Sequence, residues 1–133
     1  NWEKSEYGHV LKEKYAGAQN LHLLAPIYEP HTVNWLRGNA ALYVHGHSAG
    51  GTNPSLVEAM CLGLPVLAFD CVYNRATTED KALYWKTADD IVWQGKTLFA
   101  DEQSRSHIAA DMQEAGNRLY AWEQIARWYN ALY

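Results

Sequence analysis

The chain has 133 residues, of which 48% are hydrophobic and 20% charged, and a net charge of −4, which suits one globular domain and is too short for two ordinary ones. It contains no basic run and no Lys/Arg stripe, so nucleic acid is not expected as a partner. Cys61 and Cys71 form no C-x-x-C motif and no disulfide framework, so a reduced cytosolic setting fits the sequence. The longest apolar run, residues 62–69, is too short for a membrane helix.

Helix-start and helix-stop residues alternate with short apolar runs along the whole chain. In the first part we expect a helix from its cap Ser5 to about Ala16, a strand over residues 20–24, a helix from Pro30 to Arg37 that Gly38 ends, a strand over residues 41–45 and a loop over residues 46–53. In the second part we expect a helix over residues 54–62, which Asn53 caps and Gly63 ends. Strands over residues 65–69 and 82–85 follow, with an irregular stretch at 70–80 between them. A helix from its cap Thr87 to about Ala100 and two closing helices, over about 102–118 and 121–132, complete the prediction.

This alternation of strands and helices predicts an α/β fold. The strands are nearly continuous apolar runs, as a sheet covered on both faces requires. We therefore expect a Rossmann-like parallel sheet with helices on both faces. Ligands of such sheets bind beyond the carboxyl ends of the strands, and the loop over residues 46–53 leaves one of those ends.

That loop contains a literal G-x-S-x-G at residues 46–50, the pattern of a serine-hydrolase nucleophile elbow with Ser48 as the nucleophile. In an elbow the helix begins almost directly after the serine. A helix starting there would contain Pro54, at a cost of roughly 3 kcal/mol. We therefore expect the helix to begin at Pro54, and the serine hydrolase is the weakest of three functional hypotheses because only His107 follows Ser48.

The same loop is also typical of an anion cradle. Gly50 and Gly51 let backbone N–H groups approach an anion without an intervening Cβ. A helix beginning at Pro54 is expected to present free N–H groups from Ser55, Leu56 and Val57 at the positive end of its dipole. The alternative is a loop whose glycines only serve a tight turn.

Three polar residues near this loop are candidate ligand contacts. Glu58 lies one turn into the helix, where it either accepts hydrogen bonds from a vicinal diol such as a ribose or is an acid favoured by the helix dipole. His45 and His47 face the same side if the strand continues. Three roles remain open for them: a sugar contact by His47, plain packing, and a metal pair, for which we find no third ligand.

Two further features have a structural interpretation and a functional one. Arg75 either reaches an anion or forms a surface ion pair. An apolar stripe at helical spacing near the end of the chain is expected to pack in the core, and if it lies exposed we expect the chain to self-associate through it. The stripe consists of Trp122, Ile125, Trp128, Tyr129 and Leu132.

Residues 54–68, PSLVEAMCLGLPVLA, resemble the signature P-x-x-E-A-M-A-x-G-x-P-V-V-A of the retaining GT-B glycosyltransferases of family four. The longer string HGHSAGGTNPSLVEAM at residues 45–60 resembles a bacterial subgroup linked to capsule and exopolysaccharide synthesis, which includes rhamnosyltransferases. Residues 20–24 are similar to an upstream strand of that family, and residues 118–126 with Tyr129 are similar to its closing helix.

The resemblance implies that residues 1–133 form a single nucleotide-sugar donor-binding domain, one half of a GT-B fold. It further implies that the chain, which opens without Met, is a fragment lacking the first strand and the N-terminal acceptor domain, and is inactive alone. A nucleoside-diphosphate sugar would be the substrate, with no cofactor or metal. A sugar or lipid-linked saccharide acceptor would bind the missing domain. The full-length enzyme would be cytoplasmic and peripheral to the inner membrane. A non-catalytic sugar- or partner-binding module on the same fold is the alternative.

The resemblance also assigns roles to individual residues. Gly50 stands where the family often has the first glutamate of an E-x7-E pair, so His47 and Ser48 are expected to contact the donor sugar as catalytic residues instead. The implied binding residues are Gly50, Gly51, Thr52, Asn53, Ser55, Leu56 and Val57 for the diphosphate, Glu58 for the ribose, and Ala25, Pro26 and Ile27 for the nucleobase.

Overall fold

The structure is a computed structural model that describes residues 2–132. The chain divides into two compact units, the first ending at Val33 and the second beginning at Asn34. Within the described residues, no helix combines the length and the apolar character needed to cross a membrane.

The first unit contains the helix α1, Glu6–Tyr15, and the beginning of α2, Pro30–Gly38. As predicted, Ser5 caps α1, and its hydroxyl accepts a hydrogen bond from the Gly8 amide at 3.0 Å. The predicted strand over residues 20–24 is wrong, because this stretch has no ladder partner. A strand needs a neighbour for its backbone groups, and the described part of this unit contains no other strand.

The second unit is built on a three-stranded parallel sheet. Its strands are β1, Tyr43–His45, β2, Val66–Phe69, and β3, Leu83–Trp85, and they lie in the order β1-β2-β3. In the register, Val44 of β1 pairs with Leu67 of β2, which pairs with Leu83 of β3. The predicted α/β class and these three predicted strands are confirmed. The carboxyl ends of the three strands therefore lie along one edge of the sheet.

Besides the end of α2, the described part of this unit contains five helices: α3, Pro54–Cys61; α4, Val72–Thr77; α5, Ala88–Ala100; α6, Glu102–Tyr120; and α7, Trp122–Asn130. All except α4 were predicted, with boundaries that differ by one or two residues. The prediction of an irregular stretch over residues 70–80 is therefore wrong for residues 72–77, which form α4. Asn74 and Thr77 are buried in α4, which indicates that packing stabilises this short helix where local helix signals are weak.

The core forms where α3 and α6 pack on β2. Leu56 and Met60 of α3 and Met112 of α6 are fully buried together with Val66 of β2. The two helices approach closely at Gly116, where an added Cβ would lie 3.0 Å from the Cys61 backbone nitrogen. This packing fixes α3, and with it the loop that precedes α3.

The apolar stripe at the end of the chain does not pack in the core. No residue of α7 is buried, and Trp122 and Leu132 are 79% and 78% exposed. The prediction of core packing is therefore wrong, because periodicity identifies an apolar face without showing whether the fold covers it. Self-association through this face stays a prediction.

Candidate functional site

The loop over residues 46–53 leaves the carboxyl end of β1 and leads directly into α3, as the sequence predicted. Residues 46–52 are exposed, and residues 46–49 line an open depression. Gly50 adopts a φ of +89°, which L side chains rarely tolerate. The helix begins at Pro54 with Asn53 as its N-cap. The loop therefore presents its backbone to solvent at the sheet edge where ligands bind in α/β proteins.

The first amides of α3 are not free. Asn53 accepts all three, through its side-chain oxygen from Ser55 at 3.0 Å and through its carbonyl from Leu56 at 3.1 Å and Val57 at 3.2 Å. The expectation of free N–H groups at these residues is wrong, because a good N-cap satisfies the donors that would otherwise face a ligand.

The free amides lie in the loop itself. Within residues 2–132, no protein group accepts a hydrogen bond from the backbone N–H of Gly50, Gly51 or Thr52. An added Cβ at Gly50 or Gly51 would meet no atom within 4 Å, so the space in front of both residues is open. The structure thus brings together an exposed, unpaired set of donors next to a helix N-terminus, which is the arrangement of an anion-binding loop.

Glu58 lies exposed on α3. Its Oε2 accepts a hydrogen bond from the Arg37 guanidinium, and its side chain is 54% exposed. Among the described residues, no protein group donates to Oε1. Sequence reasoning missed Arg37, since the two residues are 21 positions apart and no local pattern links them. One oxygen is held in place and the other stays available to a ligand.

A chain of hydrogen bonds runs from this loop into the sheet. The Ser55 hydroxyl donates to Asn53 Oδ1 at 2.7 Å and accepts from the Tyr43 hydroxyl at 3.2 Å. Tyr43 Oη in turn lies 3.4 Å from His45 Nδ1. Sequence reasoning missed this relay, although alternation along β1 places Tyr43 and His45 on one face. The relay connects the cap of α3 with the end of β1.

His45 and His47 stack on each other, although β1 ends at His45 and the strand on which their common side was predicted does not continue to His47. Their ring centroids are 4.9 Å apart with an interplanar angle of 19°. His45 is 1% exposed, and its Nε2 has no hydrogen-bond partner among the described residues, whereas His47 is exposed. Burial lowers the pKa of His45, and the neighbouring His47 lowers it further. No cluster of three or more metal-ligating side chains occurs within residues 2–132.

The side chain of Asn74 in α4 holds the loop in place by hydrogen bonds. Its side chain is 3% exposed, and Nδ2 donates to the His47 carbonyl at 2.9 Å and to the Phe69 carbonyl at 2.8 Å. The amide therefore joins the loop after β1 to the carboxyl end of β2. No sequence signal pointed to this role, because Asn74 lies 27 residues from His47.

Arg75 forms the surface ion pair that was one of its two interpretations. It contacts Asp70 at 2.5 Å and Asp80 at 2.8 Å, and its guanidinium lies 4.1 Å from the centroid of the Tyr84 ring. The hydrogen bond to Asp70, followed by that to Asp80, raises the pKa of Arg75. Because both carboxylates pair with its guanidinium, Arg75 is not available to bind another anion.

Ser48 lies exposed in the loop, six residues before the helix begins at Pro54. Within residues 2–132, it makes no hydrogen bond to a histidine or to any other group. The structure therefore has the loop-then-helix geometry expected on sequence grounds, and not the strand–helix corner of a nucleophile elbow.

The residues assigned to the nucleobase belong to the first unit. Ala25 and Pro26 line a cavity of about 280 Å³ together with Trp2 and Lys12, and Ile27 follows in the same irregular stretch. Ala25 and Pro26 thus belong to one concave surface of that unit, whereas Ile27 is not among the residues that line it. All other predicted site residues belong to the second unit.

Comparisons with known proteins found no matching family model, no similar curated protein and no similar solved structure. The function of the chain must therefore be inferred from its residues and their geometry.

Proposed function

We propose that this chain binds a nucleoside-diphosphate sugar and is the donor-binding half of a retaining GT-B glycosyltransferase in surface polysaccharide synthesis. The proposed architecture is a Rossmann-like half with helices on both faces of the sheet. The observation that carries the proposal is the exposed loop after β1, whose Gly50, Gly51 and Thr52 amides have no protein acceptor among the described residues. The resemblance of residues 45–68 to family four supports the same function.

The diphosphate occupies the loop in this proposal. The amides of Gly50, Gly51 and Thr52 donate to its oxygens, and the positive end of the α3 dipole adds attraction. Asn53, Ser55, Leu56 and Val57 act indirectly, since hydrogen bonds among them hold the first turn of α3 in place. In the transfer reaction the same donors stabilise the departing nucleoside diphosphate, which carries the developing negative charge.

Glu58 binds the ribose in this proposal. Its Oε1, to which no protein group donates among the described residues, accepts from one hydroxyl of the vicinal diol, while Arg37 orients the carboxylate through Oε2. His47 and Ser48 are exposed at the mouth of the same loop and contact the donor sugar. The acceptor is assigned to a part of the enzyme outside this chain.

The test is an amide NMR titration of the chain with UDP, dTDP, GDP and ADP. We expect saturable shifts at Gly50, Gly51 and Thr52 with one of these nucleotides, at a Kd on the order of 1 mM, about −4 kcal/mol. Glu58→Gln is expected to weaken that binding by about fivefold, the effect of one net hydrogen bond. Glu123→Gln, an exposed acid at the start of α7, is the matched control and is expected to bind like the wild type.

Two outcomes contradict the proposal. If no nucleotide shifts the loop amides, the cradle does not bind diphosphate. If Glu58→Gln leaves the affinity for every nucleotide unchanged, the ribose assignment fails. Binding of a free sugar without any nucleotide would instead favour the non-catalytic sugar-binding module.

A further inference from the structure

Arg37 and Glu58 form an ion pair at the proposed ribose site. Arg37 lies in the last turn of α2, and its guanidinium donates to Oε2 of Glu58 on α3. Among residues 2–132, Arg37 has no other ion-pair partner and the Glu58 carboxylate has no other protein donor. The proposed function uses Arg37 only to orient Glu58. The same contact also limits how many hydroxyls Glu58 can bind.

The two side chains of the pair differ in exposure. Arg37 is 23% exposed, whereas Glu58 is 54% exposed. The guanidinium is therefore the more buried partner and has lost most of its contact with water. Leaving a largely buried cation without a carboxylate costs more than a hydrogen bond from a neutral hydroxyl gains. We therefore expect the pair to persist when a ligand binds.

The ion pair makes the two oxygens of Glu58 unequal. An ionised carboxylate has about four acceptor positions, two on each oxygen, so a free carboxylate can bind both hydroxyls of a vicinal diol, one at each oxygen. In Glu58 the charge-assisted bond from Arg37 engages Oε2, whereas no described protein group donates to Oε1. A diol beside Glu58 therefore meets one unoccupied acceptor and one that already holds a stronger donor.

We infer that Arg37 is a specificity-determining residue, because by holding Oε2 it restricts Glu58 to one hydroxyl of the diol. The inference rests on the proposed function, in which Glu58 binds the ribose. The second hydroxyl then contributes little to affinity. The substrate class extends to nucleoside diphosphates that lack that hydroxyl, and it includes deoxynucleoside diphosphate sugars where the second hydroxyl is the one on C2′.

The first test uses the wild type and matched nucleotides. Loop-amide NMR titrations compare UDP, GDP and ADP, each with its 2′-deoxy and 3′-deoxy analogue, and dTDP with ribothymidine diphosphate and the 3′-deoxy analogue of the latter. For the base that binds, we expect one deoxy analogue to bind within twofold of the ribonucleotide. The other is expected to bind about fivefold more weakly, the effect of one net hydrogen bond.

The second test changes Arg37. Arg37→Met keeps an unbranched stem and removes the cation, which frees Oε2, so both deoxy analogues are expected to bind about fivefold more weakly than the ribonucleotide. Arg37→Lys keeps a cation and is expected to restore the wild-type pattern. Arg127→Met, at an exposed arginine of α7, is the matched control and is expected to keep that pattern too. The readout is a ratio of affinities within one variant, which a general loss of structure does not produce.

The outcomes separate this inference from the proposed function. If the wild type binds no nucleoside diphosphate, the proposed function fails and this inference fails with it. If the wild type binds the ribonucleotide but loses affinity equally for both deoxy analogues, or for neither, only the role of Arg37 is overturned. An Arg37→Met variant that still tolerates one deoxy analogue also overturns it. If that variant does not fold, the comparison of analogues on the wild type decides.

Discussion

At the scale of single residues, buried amides and hydroxyls set the geometry of the exposed loop. Asn74 holds the carbonyls of His47 and Phe69 with one Nδ2 group, and Asn53 holds the first amides of α3. The backbone amides of the exposed residues Gly50 and Gly51, by contrast, have no protein acceptor among the described residues. The site thus combines paired groups that hold the loop with amides that no described protein group accepts.

Asn74→Ala is expected to destabilise the protein by about 2 kcal/mol, since it removes two buried hydrogen bonds worth about 1 kcal/mol each. Urea unfolding with an unchanged m-value measures this directly. Asn39→Ala is the control, because the Asn39 amide bonds only the exposed Trp35 carbonyl, and a change below about 0.5 kcal/mol is expected. Equal effects of the two substitutions would show that the Asn74 contacts do not anchor the loop.

The sequence predicted the loop but not the distant residues that contact the loop and α3. Gly50, Gly51 and the cap Asn53 are recognisable because turn and cap chemistry is local. Arg37 and Asn74 act on partners 21 and 27 residues away, and such contacts exist only after the sheet has formed. The prediction of free amides at Ser55, Leu56 and Val57 was wrong for a local reason, since the Asn53 side chain accepts from Ser55 and the Asn53 carbonyl accepts from Leu56 and Val57.

At the scale of elements, α3 is held against α6 by close packing. Gly116 of α6 leaves little room for a side chain, because an added Cβ would lie 3.0 Å from the Cys61 nitrogen and 3.1 Å from the Met60 carbonyl carbon. Leu56 and Met60 are fully buried in the same contact. The helix that begins at the loop therefore has a position fixed by the core.

Gly116→Ala is expected to destabilise the protein by about 1–3 kcal/mol, because the backbone of α3 must shift to accept the methyl group. Gly95→Ala in α5 is the matched control, since nothing lies within 4 Å of its added Cβ. That substitution is expected to stabilise by about 0.5–1 kcal/mol, the gain from replacing a mid-helix glycine. Thermal unfolding of both variants measures whether each substitution lowers or raises the stability. A stabilising Gly116→Ala would contradict the close contact between the helices.

The elements differ in how well local signals predicted them. α3 and α5 have caps at Asn53 and Thr87 and were predicted to within a residue or two. The strand over residues 20–24 failed and α4 was missed, because the pairing of a strand and the packing of a six-residue helix depend on distant parts of the chain.

At the scale of the whole molecule, ion pairs join elements that are far apart in the chain. Glu114 and Arg118 of α6 pair with Lys81 and Glu79 in the turn before β3. Hydrogen bonds from Arg118 first and Lys81 second lower the pKa of Glu114 to about 2. The pKa of Glu79 is also lowered, chiefly by Arg118.

Stability is therefore expected to fall in acid. The pKa of Glu114 drops on folding from its usual 4.5 to about 2, so its contribution is present above about pH 4.5 and is lost as the pH falls towards 2. Urea midpoints measured between pH 6 and pH 2.5 test this expectation. Glu114→Gln is expected to flatten the decline, whereas Glu102→Gln, at an acid without an ion pair within residues 2–132, is expected to keep it.

Local sequence patterns were sufficient to predict the α/β class, the loop that leads into α3 and the cap at Asn53, because strand periodicity, glycine and proline positions and capping depend on neighbours along the chain. Three-dimensional packing was needed to show which amides stay free, that His45 is buried although the stacked His47 is exposed, and that α7 lies exposed. These properties depend on the packing of residues far apart in sequence, which no local pattern contains.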